Sequence, residues 1–573
     1  MPRQQMAHAT YRIGDLLGLL ATPTAAASWP QNYNPEGHWW LALGYAVLPL
    51  LLLLGLMLGL RMKAHRAALI SLIVALVVAL GPFHMPAKLA GLAVLFGFGY
   101  GLFPIAWIIL PVIFLFELTV HARRFELLQQ CIAGVTADAR LQLLLIAFAL
   151  GAFFEGTAGF GTPVAVCATL LVGFGFPPIE AASFALFANT APVAFGGLGI
   201  PVVALHGVTG LDTLALSRVI AILLTPFCVL VPFWLITLFC GLRRMLEVWP
   251  AILVTGLFFG LTQLTIAWLH GPWLVDIIAS TGTIVAQVLF YQIWRPRRII
   301  GPQLQDLAND QPSVACRPTR SLILRAITPW AILTACVALW GTQPFVRLLD
   351  SFSTLTFTFG GLDQVVVRMP PVVPLPRPET AVFTLNWLSA TGTGIFFAAL
   401  LSARFMGIST RSTLGILRKT LWKTRFTLVT IAFLMGLGFL TRFCGLDGVM
   451  GLAFARTGSL YPLFGTLIGW IGTATTGSDT SSNVLFGSLQ KLTALQLGIP
   501  AILMAAANSG GGVMGKMIAP QSVVVATTAT GIYGKEGNIL RRLIVHSFVF
   551  AVLMGSLTLL LLHVPLIVRI ASP

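Results

Sequence analysis

Apolar residues occur along this chain in runs close to twenty residues long, divided by short polar connections. The clearest runs are 41–60, 67–83, 89–116, 141–154, 214–240, 250–269, 273–294, 328–345, 381–403, 426–443 and 543–569. A helix needs about 20 residues to cross the hydrocarbon of a bilayer, whereas membrane strands alternate with period 2, a pattern that is absent here. The pattern predicts an all-α, polytopic membrane protein of about 12 to 14 transmembrane helices, with Gly-rich segments that are re-entrant or broken.

Two Gly-rich, apolar stretches carry charge where lipid tolerates none. GAFFEGTAGFGTPVAV (151–166) holds Glu155, and TGSDTSSNVLF (476–486) holds Asp479. About thirty residues after each comes a related sequence, ANTAPVAFGGLGIP (188–201) or ANSGGGVMGKMIAP (507–520), in which Asn189 and Asn508 stand twelve residues before Pro201 and Pro520. Polar groups in hydrocarbon cost several kcal/mol unless satisfied, so their crowding points to a wet, functional interior. The two copies predict internal duplication, with repeat 1 centred on 151–203 and repeat 2 on 469–525. The polar stretch 295–327 divides a first transmembrane half, 29–294, from a second, 328–573, and reads as a cytoplasmic linker. Residues 1–28 read as an N-terminal extension, with a cleavable signal peptide as the alternative. The prolines of RMPPVVPLPRPET (368–380) deny helix and predict extended chain.

Composition agrees. Of 573 residues 57% are hydrophobic and only 9% charged, against roughly a quarter charged in soluble domains. The net charge of +17 suggests a nucleic-acid partner until its placement is read. Arg61, Lys63 and Arg66, Arg123 and Arg124, Arg243 and Arg244, Arg295, Arg297 and Arg298, and Arg541 and Arg542 all lie in short connections. Such loops face the cytoplasm, so the charge encodes topology and membrane lipid is the partner. Run 41–60 then starts outside, with Trp39 and Trp40 in an interfacial belt. The segment 404–425 carries Arg404, Arg411, Arg418, Lys419, Lys423 and Arg425, with Leu414, Leu417 and Leu421 at helical spacing, and predicts an interfacial amphipathic helix. Seven scattered cysteines and nine scattered histidines form no ligand motif, so neither metal nor cofactor is expected.

Several blocks together resemble the bacterial L-lactate permease family: WPQNYNPEG (29–37), GYGLFPIAWII (99–109), GAFFEGTAGFGTPVAV, NTAPVAFGGLGIPV (189–202), RMPPVV (368–373), SATGTGIFFAALLSA (389–403), TGSDTSSNVLF and GKMIAPQSV (515–523). They run in order from residue 29 to the last helix. The N-terminal extension and PLPRP (374–378) depart from the pattern. The resemblance implies a secondary transporter of the cytoplasmic membrane that imports L-lactate, and also D-lactate and glycolate, by proton symport. It also implies kinship with transporters whose two halves are inverted repeats.

Such a carrier needs donors for a carboxylate, a group that takes up and releases a proton, and backbone that approaches a small ligand. Half-helix N-termini supply N–H groups. Gly156, Gly159 and Gly161, with Gly196, Gly197, Gly477 and Gly510 to Gly512, permit broken helices. Asn189, Thr190, Ser478, Thr480, Ser481, Ser482, Asn483, Asn508 and Ser509 offer hydrogen bonds to the carboxylate and 2-hydroxyl. Glu155 and Asp479 are the proton-coupling candidates, because a lipid-shielded carboxyl group exchanges a proton as its exposure changes. Lys516 would attract the substrate anion or neutralise Asp479. The competing readings are helix packing for the small residues and a static ion-pair network for the three charges. Glu117, Glu180, Asp276 and Arg442 read as interfacial or helix-end residues, Arg442 snorkelling to the headgroups. An intramembrane hydrolase and a channel are the other function classes. GxSxG and HExxH are both missing, and the paired repeats favour alternating access.

Overall fold

The computed structural model describes residues 28–58, 62–124, 135–157, 161–307, 320–340, 342–532 and 535–565, with the isolated positions 10, 11, 60, 127, 159 and 570. Most of the N-terminal extension and residues 308–319 of the linker lie outside the described residues. The long apolar runs form helices. Among the described residues eight are long and apolar enough to cross a membrane, or ten if each of two bent pairs is one span. Against about 12 to 14 expected, the difference falls where helices are short, notably in the repeats.

The chain divides into two compact units that are not consecutive in sequence. The first comprises Met1–Trp107, Leu339–Gly394 and Thr424–Arg456. In it helices Trp39–Leu58, Ala64–Leu80 and Leu446–Ala455 accompany small sheets. Thr354–Thr358 pairs antiparallel with Val382–Asn386, aligning Phe357 with Phe383. Val366–Arg368 pairs antiparallel with Arg377–Pro378 and parallel with Trp29–Pro30. The proline-rich stretch is thus extended, as its φ restriction requires. Trp39 and Trp40 are exposed, Trp39 beneath the Arg456 guanidinium at 3.9 Å. Arg442 does not snorkel. It joins Arg368 on the two oxygens of the buried Glu379, at 2.8 Å for Arg442, because position 442 lies inside the unit rather than at a lipid edge.

The amphipathic segment differs from expectation too. Helix Thr391–Phe405 ends at Gly407 (φ 74°), and Thr410–Cys444 then runs as a single 35-residue helix through the basic segment into the apolar one. No proline interrupts it, so nothing separates an interfacial helix from the span that follows.

The second unit comprises Ile108–Ala338, Ile395–Lys423 and Thr457–Pro573 and contains both repeats. In it Lys423 pairs with Glu117, and Arg542 with Glu180 at 3.7 Å. Repeat 1 runs through α1 (Ala139–Thr157), α2 (Thr162–Gly173), α3 (Pro178–Ala188) and α4 (Gly196–Thr209) into the long α5 (Thr213–Leu246), followed by α6 (Trp249–Leu269) and α7 (Val275–Ile293). Repeat 2 runs through α8 (Tyr461–Thr476), α9 (Asp479–Leu497), α10 (Ala501–Gly515) and α11 (Pro520–Ala529) into α12 (Glu536–Leu561). The order is the same in both: helix, break, helix hairpin, break, half-helix, long helix. Pro201 and Pro520 stand at the start of the half-helices, where a missing N–H costs nothing. Packing is reciprocal, with α4 against α9 of the other repeat and α11 against α2.

Candidate functional site

The first break follows Glu155. α1 closes where the Gly159 N–H donates to Phe154 O at 3.1 Å, and Gly159 (φ 57°) and Gly161 (φ 86°) turn the chain into α2. Gly161 faces Val525 of α11. The second break is deeper. After Asn189 and Thr190 the chain passes Gly197, Leu198 and Gly199 with φ of 54°, 60° and 78°, so helical geometry in α4 begins only at Ile200. The regular part of α4 therefore starts inside the break, and the positive end of a helix dipole favours an anion there.

In the second repeat Gly477 (φ 74°) ends α8 and Asp479 opens α9. Ser478 caps α9 by accepting the Ser481 N–H at 3.3 Å. Asp479 is buried and fully bonded. Ser509 donates to its Oδ2 at 2.6 Å, Asn483 to the same oxygen at 3.4 Å, and Thr473 to Oδ1 at 3.4 Å. Asn508 donates to Asn483 at 2.9 Å, and Gln490, itself held by Tyr461, donates to Asn508 at 3.1 Å. The network crosses between repeats, since Asn483 Nδ2 also reaches Pro201 O at 3.2 Å.

Around Glu155 the picture reverses. Its carboxyl is 5% exposed and lies against Gly196, with Asn189 beside it. Yet among the described residues Glu155 Oε2 and the Thr190 hydroxyl are buried without a hydrogen-bond partner, and the Asn189 amide has none beyond the Glu155 carboxyl beside it. Lys516, held by Gly477 O at 2.7 Å, faces both Glu155 and Asp479. The two repeats thus meet at one place.

The predicted residues fall into three groups. Gly156, Gly159 and Asn189 surround Glu155, with Thr190 next in the chain; Asn483, Asn508, Ser509 and Lys516 surround Asp479. Ser478 and Ser482 turn their hydroxyls to backbone, Ser482 to Gly469 O at 3.0 Å. Thr480 and Ser481 are buried at the start of α9. Sequence reasoning passed over Asp276. It lies in the first turn of α7, 1% exposed, with both carboxyl oxygens unpartnered among the described residues, pressed on Gly156 and facing Glu155. A lone acid after His270, Gly271 and Pro272 reads as a helix-end residue, which it is, and only the packing of α7 on α1 sets it beside Glu155.

The sequence profile of the L-lactate permease family matches residues 43–565. The chain belongs to the L-lactate permease family. Among its relatives, the L-lactate permease of Salmonella typhimurium is 40% identical over 94% of this chain and 98% of that protein. The glycolate permease GlcA of Escherichia coli is 40% identical over the same shares. The L-lactate permease of Bacillus subtilis is 38% identical over 84% of this chain and 89% of its own. This permease is a multi-pass transporter of the bacterial cytoplasmic membrane and not an enzyme, which removes the hydrolase alternative.

Proposed function

We propose that this permease imports L-lactate, with D-lactate and glycolate as further substrates, by proton symport and alternating access. The observation that carries this reading is the asymmetry of the two repeats. Buried polar groups almost always have partners, and orphans mark a place where something else binds. Among the described residues the orphans are side-chain atoms of Glu155, Asn189 and Thr190, in the chain that leads into the start of α4. The α4 N–H groups suit the substrate carboxylate, and Asn189 and Thr190 suit its carbonyl-proximal hydroxyl. Lys516 supplies positive potential without a direct ion pair that the anion must break.

Glu155 carries the proton, and Asp479 ties its release to rearrangement of the second repeat through Asn483 and Pro201. One proton with one anion makes the step electroneutral and avoids moving a bare charge through lipid. Glycolate lacks only the methyl group of lactate, a difference worth about 1–3 kcal/mol in an apolar pocket, so one site serves both. The S. typhimurium and E. coli relatives carry those two substrates in their names.

Purified protein in liposomes, with a pH-sensitive dye inside and labelled 2-hydroxy acids outside, tests the reading. Saturable counterflow of lactate and glycolate is expected, with internal acidification during net uptake. Glu155→Gln is expected to keep exchange and lose uphill accumulation. Undiminished accumulation by both Glu155→Gln and Asp479→Asn would falsify the proton assignment.

A further inference from the structure

Asp276 begins a polar face that runs the length of α7. Asp276, Ser280, Thr283, Gln287 and Tyr291 recur at intervals of four, three, four and four residues, one side of a helix, and all are buried. The opposite side carries Val285, Leu289 and Ile293, each more than half exposed, as a lipid-facing surface should. The polar face meets α6, where Thr255 and Gln263 are 0% exposed. Gln287 donates to Thr255 at 2.8 Å, and Cys228 of α5 donates to Gln263 at 3.3 Å.

These groups are not mutually satisfied. Among the described residues both Asp276 oxygens, Gln263 Nε2 and Gln287 Oε1 have no hydrogen-bond partner, and the buried Tyr291 hydroxyl has only Thr255 beside it. A polar atom left unpaired in a dry interior is costly, so polar atoms this numerous in one file call for bound water. The ends of the file are chemically distinct. At one, Asp276 lies against Gly156 and faces Glu155. At the other, about 22 Å along the helix, Tyr291 faces Asp138, which accepts the Ile300 N–H at 3.2 Å. Arg295, Arg297 and Arg298 follow directly and mark that end as cytoplasmic.

We infer that the polar face of α7 is the proton's exit route: a file of waters held by Asp276, Thr283, Gln263, Gln287 and Tyr291 connects Glu155 to the cytoplasm. The proton passes from Glu155 to Asp276 and then by successive O–H···O transfers, each water giving one proton as it accepts another, to the Asp138 end of the file. No covalent bond other than O–H changes. The route separates the proton's path from the substrate site proposed at the break beside Asn189. It rests on the proton-coupled reading proposed above.

The test compares two rates in the same proteoliposomes: lactate counterflow, which needs no net proton movement, and dye-reported proton entry during net L-lactate uptake. For Gln287→Leu, Tyr291→Phe and Asp276→Asn the ratio of proton entry to counterflow is expected to fall about tenfold or more, since positioned proton-transfer groups contribute at least that much to a rate. Tyr291→Phe removes a single oxygen atom and guards against misfolding as the explanation. A ratio unchanged from the unaltered protein in both Gln287→Leu and Tyr291→Phe, whether both rates hold or both fall together, overturns the route. Lactate uptake by the unaltered protein without any dye response overturns the proton-coupled reading itself, a result the variants are not needed to recognise.

Discussion

Glu155 rests on Gly196 so closely that a β-carbon at position 196 would stand 2.6 Å from its Oε1. The acid that ends α1 is therefore positioned by the backbone entering α4, not by a cation in direct contact. Asp479 stands in the same relation to Gly512 across its own repeat. Each carboxyl is thus lodged against a glycine of the second Gly-rich segment of its repeat, and the site depends on space as much as on charge.

Gly196→Ala tests that dependence. The added methyl must displace the Glu155 carboxyl, since the remaining contacts are also with Glu155. Overpacking of this kind costs about 1–3 kcal/mol. Lactate uptake is expected to fall at least about tenfold, because a displacement near 1 Å at a reacting group is enough for that. Gly415→Ala, at a helical position with open space around it, is the control and should leave uptake and melting temperature unchanged. Uptake by Gly196→Ala equal to that control would show that Glu155 need not lie where it does.

Thr190→Val and Ser509→Ala separate the two repeats by the sign of their effect on stability. The Thr190 hydroxyl is fully buried and has no partner among the described residues, so removing it relieves a desolvation penalty and should leave the melting temperature unchanged or raised. If that hydroxyl awaits the substrate, the half-saturating lactate concentration rises about tenfold, the value of a single hydrogen bond near 1.4 kcal/mol. Thermal unfolding in detergent and uptake kinetics are the two measurements. A lowered melting temperature with unchanged kinetics would make Thr190 a packing residue.

Ser509→Ala should behave oppositely. Its hydroxyl donates to Asp479 at 2.6 Å and accepts from Asn483 at 3.2 Å, so its loss leaves two buried groups short of a partner. A charge-assisted bond of this length is worth about 1.5–3 kcal/mol. Both the melting temperature and gradient-driven uptake are expected to drop. Ser509→Thr, which keeps the hydroxyl, should recover most of the melting temperature; failure to recover it would assign the loss to crowding rather than to the hydrogen bond.

How much of this the chain discloses varies by residue. Glu155 and Asp479 were legible because each breaks a long apolar pattern inside a glycine-rich one, and duplication set the two side by side. The breaks after Thr157 and Thr476 were legible because glycine punctuates both, with Pro163 following the first. The continuity of Thr410–Cys444 was not, since hydropathy changes at residue 425 while helical propensity does not. Asp276 was hidden for a different reason: its meaning comes from Glu155, more than a hundred residues earlier, through the packing of α7 on α1. The five polar positions of α7 do carry a helical period, the one local signal that sets this face apart from its lipid-facing side. Arg140 was equally silent, an ordinary basic residue near a loop until its burial is known.

Arg140 is 0% exposed and uses its whole guanidinium. It binds both oxygens of Asp138 at 3.0 and 2.8 Å, Glu247 at 2.8 Å, and the carbonyls of Arg244 and Arg298 at 2.9 and 2.7 Å. One side chain thereby joins the start of α1 to the turn after α5 and to the segment that leaves α7. Breaking a buried pair by deleting one partner costs about 3–5 kcal/mol, because the other charge stays buried alone. Arg140→Ala is therefore expected to lose stability on that scale, with a lowered melting temperature in detergent and reduced amounts of folded protein in the membrane. Arg140→Lys keeps the charge but not the planar fork, and an ammonium has three donors where five are used. It should recover only part of the loss. Full recovery by lysine would mean that charge alone holds this junction, and the carbonyl contacts to Arg244 and Arg298 would then add nothing to its strength.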